Sequence, residues 1–223
     1  MNITILCTDI AHPVNVMLTR WAAIHKTQHH ITIVRKLSDL LGGDILFLIS
    51  CHEITTQQHR SLYTASLVIH ASDLPQGKGW SPHIWQILEG KNHIVVSLIE
   101  AQDSIDSGDI WQQETLVLEG HELSDEINTQ LFQIESNLMD FAIENCKTIQ
   151  PVKQANDSAK LYSRRTAEDS RIDPHKTIAE QFDLLRVSDF NRYPAILSYR
   201  DCDYVIKIEK KAKNNIAEGT CSE

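Results

Sequence analysis

Asp44-Ile45-Leu46-Phe47-Leu48-Ile49-Ser50 is apolar at every position between its two polar ends. A strand with one face in water alternates polar and apolar side chains. An unbroken hydrophobic run instead marks a strand covered on both faces, as in a parallel sheet flanked by helices. Other apolar runs repeat around it: residues 3–7 (ITILC), 31–34 (ITIV), 65–69 leading into His70, and 94–99 (IVVSLI). Between them Pro13 opens a segment in which Val16, Met17, Trp21 and Ile24 recur at helical spacing. Residues 37–41 read as one helical turn closed by Gly42-Gly43, residues 55–63 as a short helix, and 82–88 as a helix from Pro82 that ends at Gly90. Strands alternating with helices predict βαβ units and a Rossmann-like, doubly wound α/β sheet.

Residues 121–148 form one long helical pattern, with Ile127, Leu131, Ile134, Leu138, Phe141, Ala142 and Cys146 on a single stripe that Pro151 stops. The composition then turns polar. Residues 1–150 are therefore expected to form the catalytic core and 151–209 a small C-terminal α+β appendage. The appendage is read as a surface connection, a helix at 177–187, and strands at 194–197 and 204–208. Residues 210–223 (KKAKNNIAEGTCSE) are expected to be a disordered polar tail.

The 223 residues carry 21 basic and 30 acidic side chains, so the formal net charge is 21 − 30 = −9. Hydrophobic residues at 42% and charged ones at 23% are those of a globular chain. The acidic balance argues against nucleic acid as partner, because phosphate contacts need Lys and Arg in excess, yet it leaves room for a local basic pocket. No basic leader with an apolar core follows Met1 and no apolar run is long enough for a membrane helix, so a cytoplasmic protein without membrane contact is expected. The five cysteines are scattered and never spaced as CxxC, which argues against a disulfide framework or a zinc site. His25 and His29 stand at i, i+4 without a third ligand nearby, and Gly42-Gly43 is no dinucleotide fingerprint.

Polar clusters interrupt the scaffold directly after two of the expected strands, where open α/β sheets place their ligands. One runs from His70 to Pro82 (HASDLPQGKGWSP), the other from Glu100 to Ile110 (EAQDSIDSGDI). If those strands are neighbours, His70 and Asp106 meet as an acid–base pair.

His70-Ala-Ser-Asp-Leu-Pro75 resembles the HPSLLP or HASLLP signature of N10-formyltetrahydrofolate-dependent formyltransferases, and Ile105-Asp106-Ser-Gly-Asp109-Ile resembles their DTGDI-type loop. The interval, 106 − 70 = 36 residues, is the one that family keeps between its catalytic His and Asp. Gly79-Trp-Ser-Pro82 is similar to the family's helix start. Arg164-Arg-Thr-Ala-Glu-Asp-Ser-Arg-Ile-Asp173 resembles the RRTPEDGRID stretch of UDP-4-amino-4-deoxy-L-arabinose formyltransferases, and Tyr193-Pro194-Ala195 their YPGA segment. The resemblance covers roughly residues 40–210 and implies the formyltransferase fold. One position departs from it: the family pattern is N-x-H, its Asn helping to hold the developing oxyanion, and Val68 stands in that slot.

The resemblance implies transfer of a formyl group from N10-formyltetrahydrofolate, with no metal, to the amine of a nucleotide-linked amino sugar for bacterial surface glycan (lipopolysaccharide) biosynthesis, by a homodimer. His70 would stabilise the oxyanion and protonate the departing folate nitrogen; Asp106 would orient the imidazole and draw protons from the amine. Folate contacts would come from Ser50, Cys51 and His52 and from the segment holding Glu100, Asp103 and Ile105. Lys78, Trp80, Arg164, Arg165, Asp169 and Arg171 would meet the nucleotide sugar, arginine forks suiting phosphate oxygens. Alternatives are a formyltransferase acting on another small amine such as glycinamide ribonucleotide and, because of Val68, a non-catalytic binding or scaffold relative. Methionyl-tRNA formyltransferases carry the same motifs but add a basic tRNA-binding domain, for which 223 residues leave no room. Formyltetrahydrofolate hydrolases usually carry an extra regulatory domain.

Overall fold

The computed structural model describes residues 1–155 and 160–211. Its main chain runs β1 (Asn2–Leu6), α1 (Val14–His25), β2 (His30–Val34), a 3-10 turn (Leu37–Asp39), β3 (Gly43–Leu48), α2 (Gln57–Arg60) and β4 (Tyr63–His70). It continues through β5 (Lys78–Gly79), α3 (Pro82–Leu88), β6 (His93–Glu100), β7 (Ile110–Val117) and the long α4 (Ser124–Asn145). The C-terminal third adds β8 (Leu161–Tyr162), β9 (Arg171–Ile172), α5 (Phe182–Arg186), β10 (Ala195–Tyr199) and β11 (Cys202–Ile206).

The central sheet has the order β2-β1-β3-β4-β6-β7. β3 sits in its interior, and its unbroken apolar run serves both faces. Ile45 and Phe47 join the large core beneath α1 and α4, while Leu46 and Leu48 join a smaller cluster with Leu6, Val34 and Tyr63 on the other side. Strands β2, β1, β3 and β4 are parallel, as the alternation of elements predicts. β6 and β7 instead pair antiparallel with their neighbours. Residues 110–117 (IWQQETLV) carry no β-branched run. Only Trp111 and Leu116 among them are buried, which is why an edge strand there leaves so weak a sequence signal.

α1 buries Val14, Leu18 and Trp21. Val16 and Ile24, expected on its inner stripe, are 78% and 62% exposed. Both stripes contain Trp21, but the helix has one inward face, and Trp21 fixes it by donating its indole N–H to Asp140 of α4 at 2.6 Å. Residues 55–63 give only the single turn of α2, because Tyr63 belongs to β4, where its hydroxyl donates to Thr4. α4 buries Ile127, Leu131, Leu138, Met139 and Ala142, close to the expected stripe.

The C-terminal third is laced to the core. β8 pairs with β5, Val152 bridges Ile110, and β9, β10 and β11 form a three-stranded sheet. Arg186 of α5 is buried, with its Nε on Asp183 and an Nη on Asn92, the residue before β6. Of the expected tail, residues 212–223 lie outside the described residues; Lys210 bonds Glu126 and His121. Among the described residues no helix is long and apolar enough to cross a membrane.

Candidate active site

β3 and β4 are parallel, so the segments that leave them, beginning at Ser50 and Ala71, emerge at one edge of the sheet. β6 runs the other way and ends with Glu100 beside Leu67. The loop of residues 101–109 therefore arches back along β4 and delivers Asp106 to His70. Its path depends on Gly108: a Cβ there would lie 1.8 Å from the Glu100 carbonyl oxygen, so no other residue fits without moving backbone. Asp106 takes a left-handed conformation (φ 51°), and the Gln154 amide donates to the carbonyls of Asp106 and Gly108.

His70 is 7% exposed. Its Nε2 lies 2.9 Å from the Gly77 carbonyl oxygen and its Nδ1 3.5 Å from Asp106 Oδ1. Both partners are acceptors, so the arrangement satisfies both N–H groups of a protonated imidazole. Asp106 Oδ2 accepts the Gly79 N–H at 2.9 Å. Both oxygens of this carboxylate thus have fixed partners inside the fold. Two residues before His70 on the same strand, Val68 lines the cavity and offers only methyl groups, where the family resemblance places a donor.

These groups open into a cavity of about 780 Å³. Ser50, Cys51, His52, Glu100, Asp103, Ile105, Trp80, Arg164 and Arg165, all expected at the site, line it together with His70 and Asp106. Lys78, Asp169 and Arg171 do not. Lys78 lies in β5. Asp169 accepts the N–H and hydroxyl of Thr166, and Arg171 is held by Glu168, Ser198 and Asp203 on the three-stranded sheet. Those two charged side chains organise their own turn and sheet, a role the RRTAEDSRID pattern shares with ligand binding and so cannot separate from it.

At the mouth, Trp80 has the His52 ring 5.5 Å away and the Arg164 guanidinium over its own ring at 5.0 Å. Arg165 donates to the Asp169 carbonyl and to Ser170 Oγ, and burial lowers its pKa. Arg60 pairs with Asp103, and the Trp111 indole donates to Glu100. Burial pushes the Cys51 thiol up, which disfavours a thiolate and any nucleophilic role.

Further titratable groups on the same wall carry no motif. His12, just before α1, and His83 on α3 are each pushed down to about 4, chiefly by burial; Arg192 adds to the effect at His12. Glu135 on α4 is pushed up to about 8 by burial alone. The surface that His83 and Glu135 retain faces the cavity. Sequence reading passes over them because an isolated His or Glu inside a helix looks like ordinary surface; only the cavity-facing register of α4 singles out Glu135. Among the described residues no group of three or more His, Cys, Asp or Glu could hold a metal ion. The apolar walls from Leu48, Val68 and Ile99, flanked by the backbone of residues 50–54 and 101–105, fit a flat heterocycle held by main-chain groups.

No protein-family model matches the chain. It is 30% identical over 143 residues, 64% of its length, to a methionyl-tRNA formyltransferase from Rickettsia massiliae, of which it covers 46%. It spans about half the length of the curated relatives it matches. Among solved structures, a methionyl-tRNA formyltransferase from Clostridium thermocellum superposes with a TM-score of 0.77 at 22% identity, covering 93% of this chain and 99% of that one. HypX from Aquifex aeolicus, in complex with tetrahydrofolic acid, gives 0.74 at 18% identity, covering 92% of this chain and 37% of HypX. A 4-N formyltransferase from Francisella tularensis gives 0.67 at 17%, covering 94% and 98%. The fold is that of the formyltransferases.

Proposed function

We propose that this chain, a relative of the formyltransferases with their fold, is an N-formyltransferase that moves a formyl group from N10-formyltetrahydrofolate to the amine of a nucleotide-linked amino sugar, a step in bacterial surface glycan synthesis. The observation that carries the chemistry is the buried His70–Asp106 pair, 3.5 Å apart and fixed by Gly77 and Gly79, opening into a cavity large enough for two reactants.

The folate cosubstrate would supply the formyl carbon. The neutral amine attacks that carbon, forming the new C–N bond and a tetrahedral oxyanion, and the attacking nitrogen, positively charged once bonded, gives up its extra proton to solvent. Protonated His70, its Nε2–H turning from the Gly77 carbonyl toward the reacting atoms, would stabilise the oxyanion and pass its proton to the departing N10, which keeps the electron pair of the broken C–N bond. Asp106 holds the ring and offsets its positive charge. Juxtaposing the two reactants in one cavity supplies much of the remaining acceleration.

A nucleotide sugar suits Arg164 and Arg165 at the cavity wall and a chain whose net charge is −9. The sequence similarity to methionyl-tRNA formyltransferases favours a second reading, an aminoacyl-tRNA amine. Transfer assayed on nucleotide-linked 4-amino and 3-amino sugars beside methionyl-tRNA separates the two. His70→Ala and Asp106→Asn should each lower turnover on the order of 10²–10⁴-fold with the fold intact. Wild-type turnover in either variant refutes the catalytic assignment; transfer to methionyl-tRNA alone refutes the sugar.

A further inference from the structure

We propose that Glu135 is an anionic subsite of this cavity that receives the protonated amine of the acceptor. The inference rests on the amine-acceptor reading above and adds a residue that no motif supplies.

α4 presents Ser124, Ile127, Asn128, Leu131, Phe132 and Glu135 to the cavity, at i, i+3, i+4, i+7, i+8 and i+11, so Glu135 ends one continuous stripe. Its Oε2 is buried without a hydrogen-bond partner, while the residue as a whole keeps some exposed surface at the cavity. An unpaired buried carboxyl is costly, so a partner that arrives with the substrate would account for it. Burial alone moves its pKa, with no charged neighbour to offset it.

Three other carboxylates of the cavity wall already have partners, and Glu53 is solvent-exposed, where it needs none. Asp106 spends one oxygen on His70 and the other on the Gly79 N–H. Asp9 is paired with Arg192, and Asp103 with Arg60. On the cavity wall, His12 and His83 are neutral at physiological pH and give Glu135 no counter-ion. Beyond them stand Arg165, Asp189 and Arg192, while elsewhere on α4 Asp140 faces His25 and Glu114 bonds Asn137.

The proton balance gives the proposal a signature. Free Glu135, pushed up to about 8, holds its proton at pH 7. A bound alkylammonium stabilises the carboxylate, so one proton leaves to solvent for each amine bound, and the ammonium becomes the neutral nucleophile only by handing its own proton to that carboxylate. Well above pH 8 none does.

Calorimetry at pH 7 in phosphate and in Tris buffer reads that release as a buffer-dependent heat. The probes are a nucleotide-linked 4-amino sugar, its 4-hydroxy counterpart, and tetrahydrofolate. Wild-type protein should release close to one proton with the amino sugar and none with the hydroxy sugar. Glu135→Gln, nearly isosteric, should lose the release and bind the amino sugar on the order of tenfold or more weakly, with tetrahydrofolate binding and melting unimpaired. Unchanged amino-sugar affinity and proton release in Glu135→Gln overturn this inference alone. Wild-type protein that binds tetrahydrofolate but no amino sugar overturns the acceptor reading and this inference with it.

Discussion

Gly108→Ala tests how the site is built, because its effect is steric and its size can be read from coordinates. The new Cβ would lie 1.8 Å from the Glu100 carbonyl oxygen, against the 3.0 Å below which real Cβ contacts essentially never fall, so backbone must separate by at least 3.0 − 1.8 = 1.2 Å. Glu100 is pinned in the β6 ladder, and its N–H donates to the Asp109 carbonyl, so the displacement falls on the loop carrying Asp106. The Asp106–His70 contact is already long at 3.5 Å, and a further ångström removes it. Misplacing a catalytic group by about 1 Å costs on the order of 10²-fold in rate. Single-turnover formyl transfer should fall by about that factor, while tetrahydrofolate binding changes little. Gly90→Ala is the control: its φ of 81° is unfavourable for alanine, but nothing lies within 4 Å of its Cβ. It should cost roughly 1–2 kcal/mol of stability and no activity. Full turnover in Gly108→Ala would show that the loop does not place Asp106 by this contact.

Val68→Asn restores an amide two residues before His70 on the cavity-lining strand, and turnover should rise on the order of 10²-fold, the worth of one oxyanion donor; unchanged turnover would mean another group already serves. Glu135→Gln should also change stability in a pH-dependent way. The carboxyl lies at about 8 against an ordinary 4.5, so the native state favours its neutral form. Its stabilising contribution is complete below pH 4.5 and is lost as pH rises to 8, a difference of at most about 5 kcal/mol. Thermal melts should therefore show Glu135→Gln equal to wild type near pH 4.5 and progressively more stable toward pH 8. The opposite sign holds for His83, at about 4 against 6.5: its neutral form stabilises the fold above pH 6.5 and that contribution, about 3 kcal/mol, is lost as pH falls through 4. His83→Leu should flatten the acid side of the wild-type melting profile.

The half of the sheet centred on residues 44–50 is legible because a strand buried on both faces must be apolar throughout, and a run this short with Gly42-Gly43 before it suits a strand better than a buried helix. His70 and Asp106 were legible because both stand in short stretches whose glycines, prolines and strand ends leave few alternatives. The direction of β6 was not legible. Nothing in IVVSLI distinguishes parallel from antiparallel pairing, and residues 71–92, which include α3, are long enough for either. Lys78, Asp169 and Arg171 mark a different limit. A cation or carboxylate in a matched stretch can stabilise its own turn, and only its partners in space tell which role it plays.

The antiparallel direction of β6 is what brings Asp106 back onto His70. Had β6 run parallel to β4, the segment after it would leave from the same sheet edge as the one after His70, and the acid and base would sit side by side at an open rim. Because β6 is antiparallel, Asp106 must return along the sheet on a loop that Gly108 and Gln154 hold in place, and the return itself roofs the cavity. Each oxygen of Asp106 thereby acquires a fixed partner, and little of the carboxylate reaches solvent. A carboxylate so committed can orient an imidazole, but it is a poor receiver for the proton of an incoming ammonium ion. The second, unpartnered carboxyl on α4 then has a reason to be there: orientation and charge recognition have been divided between Asp106 and Glu135, each in the environment its task requires.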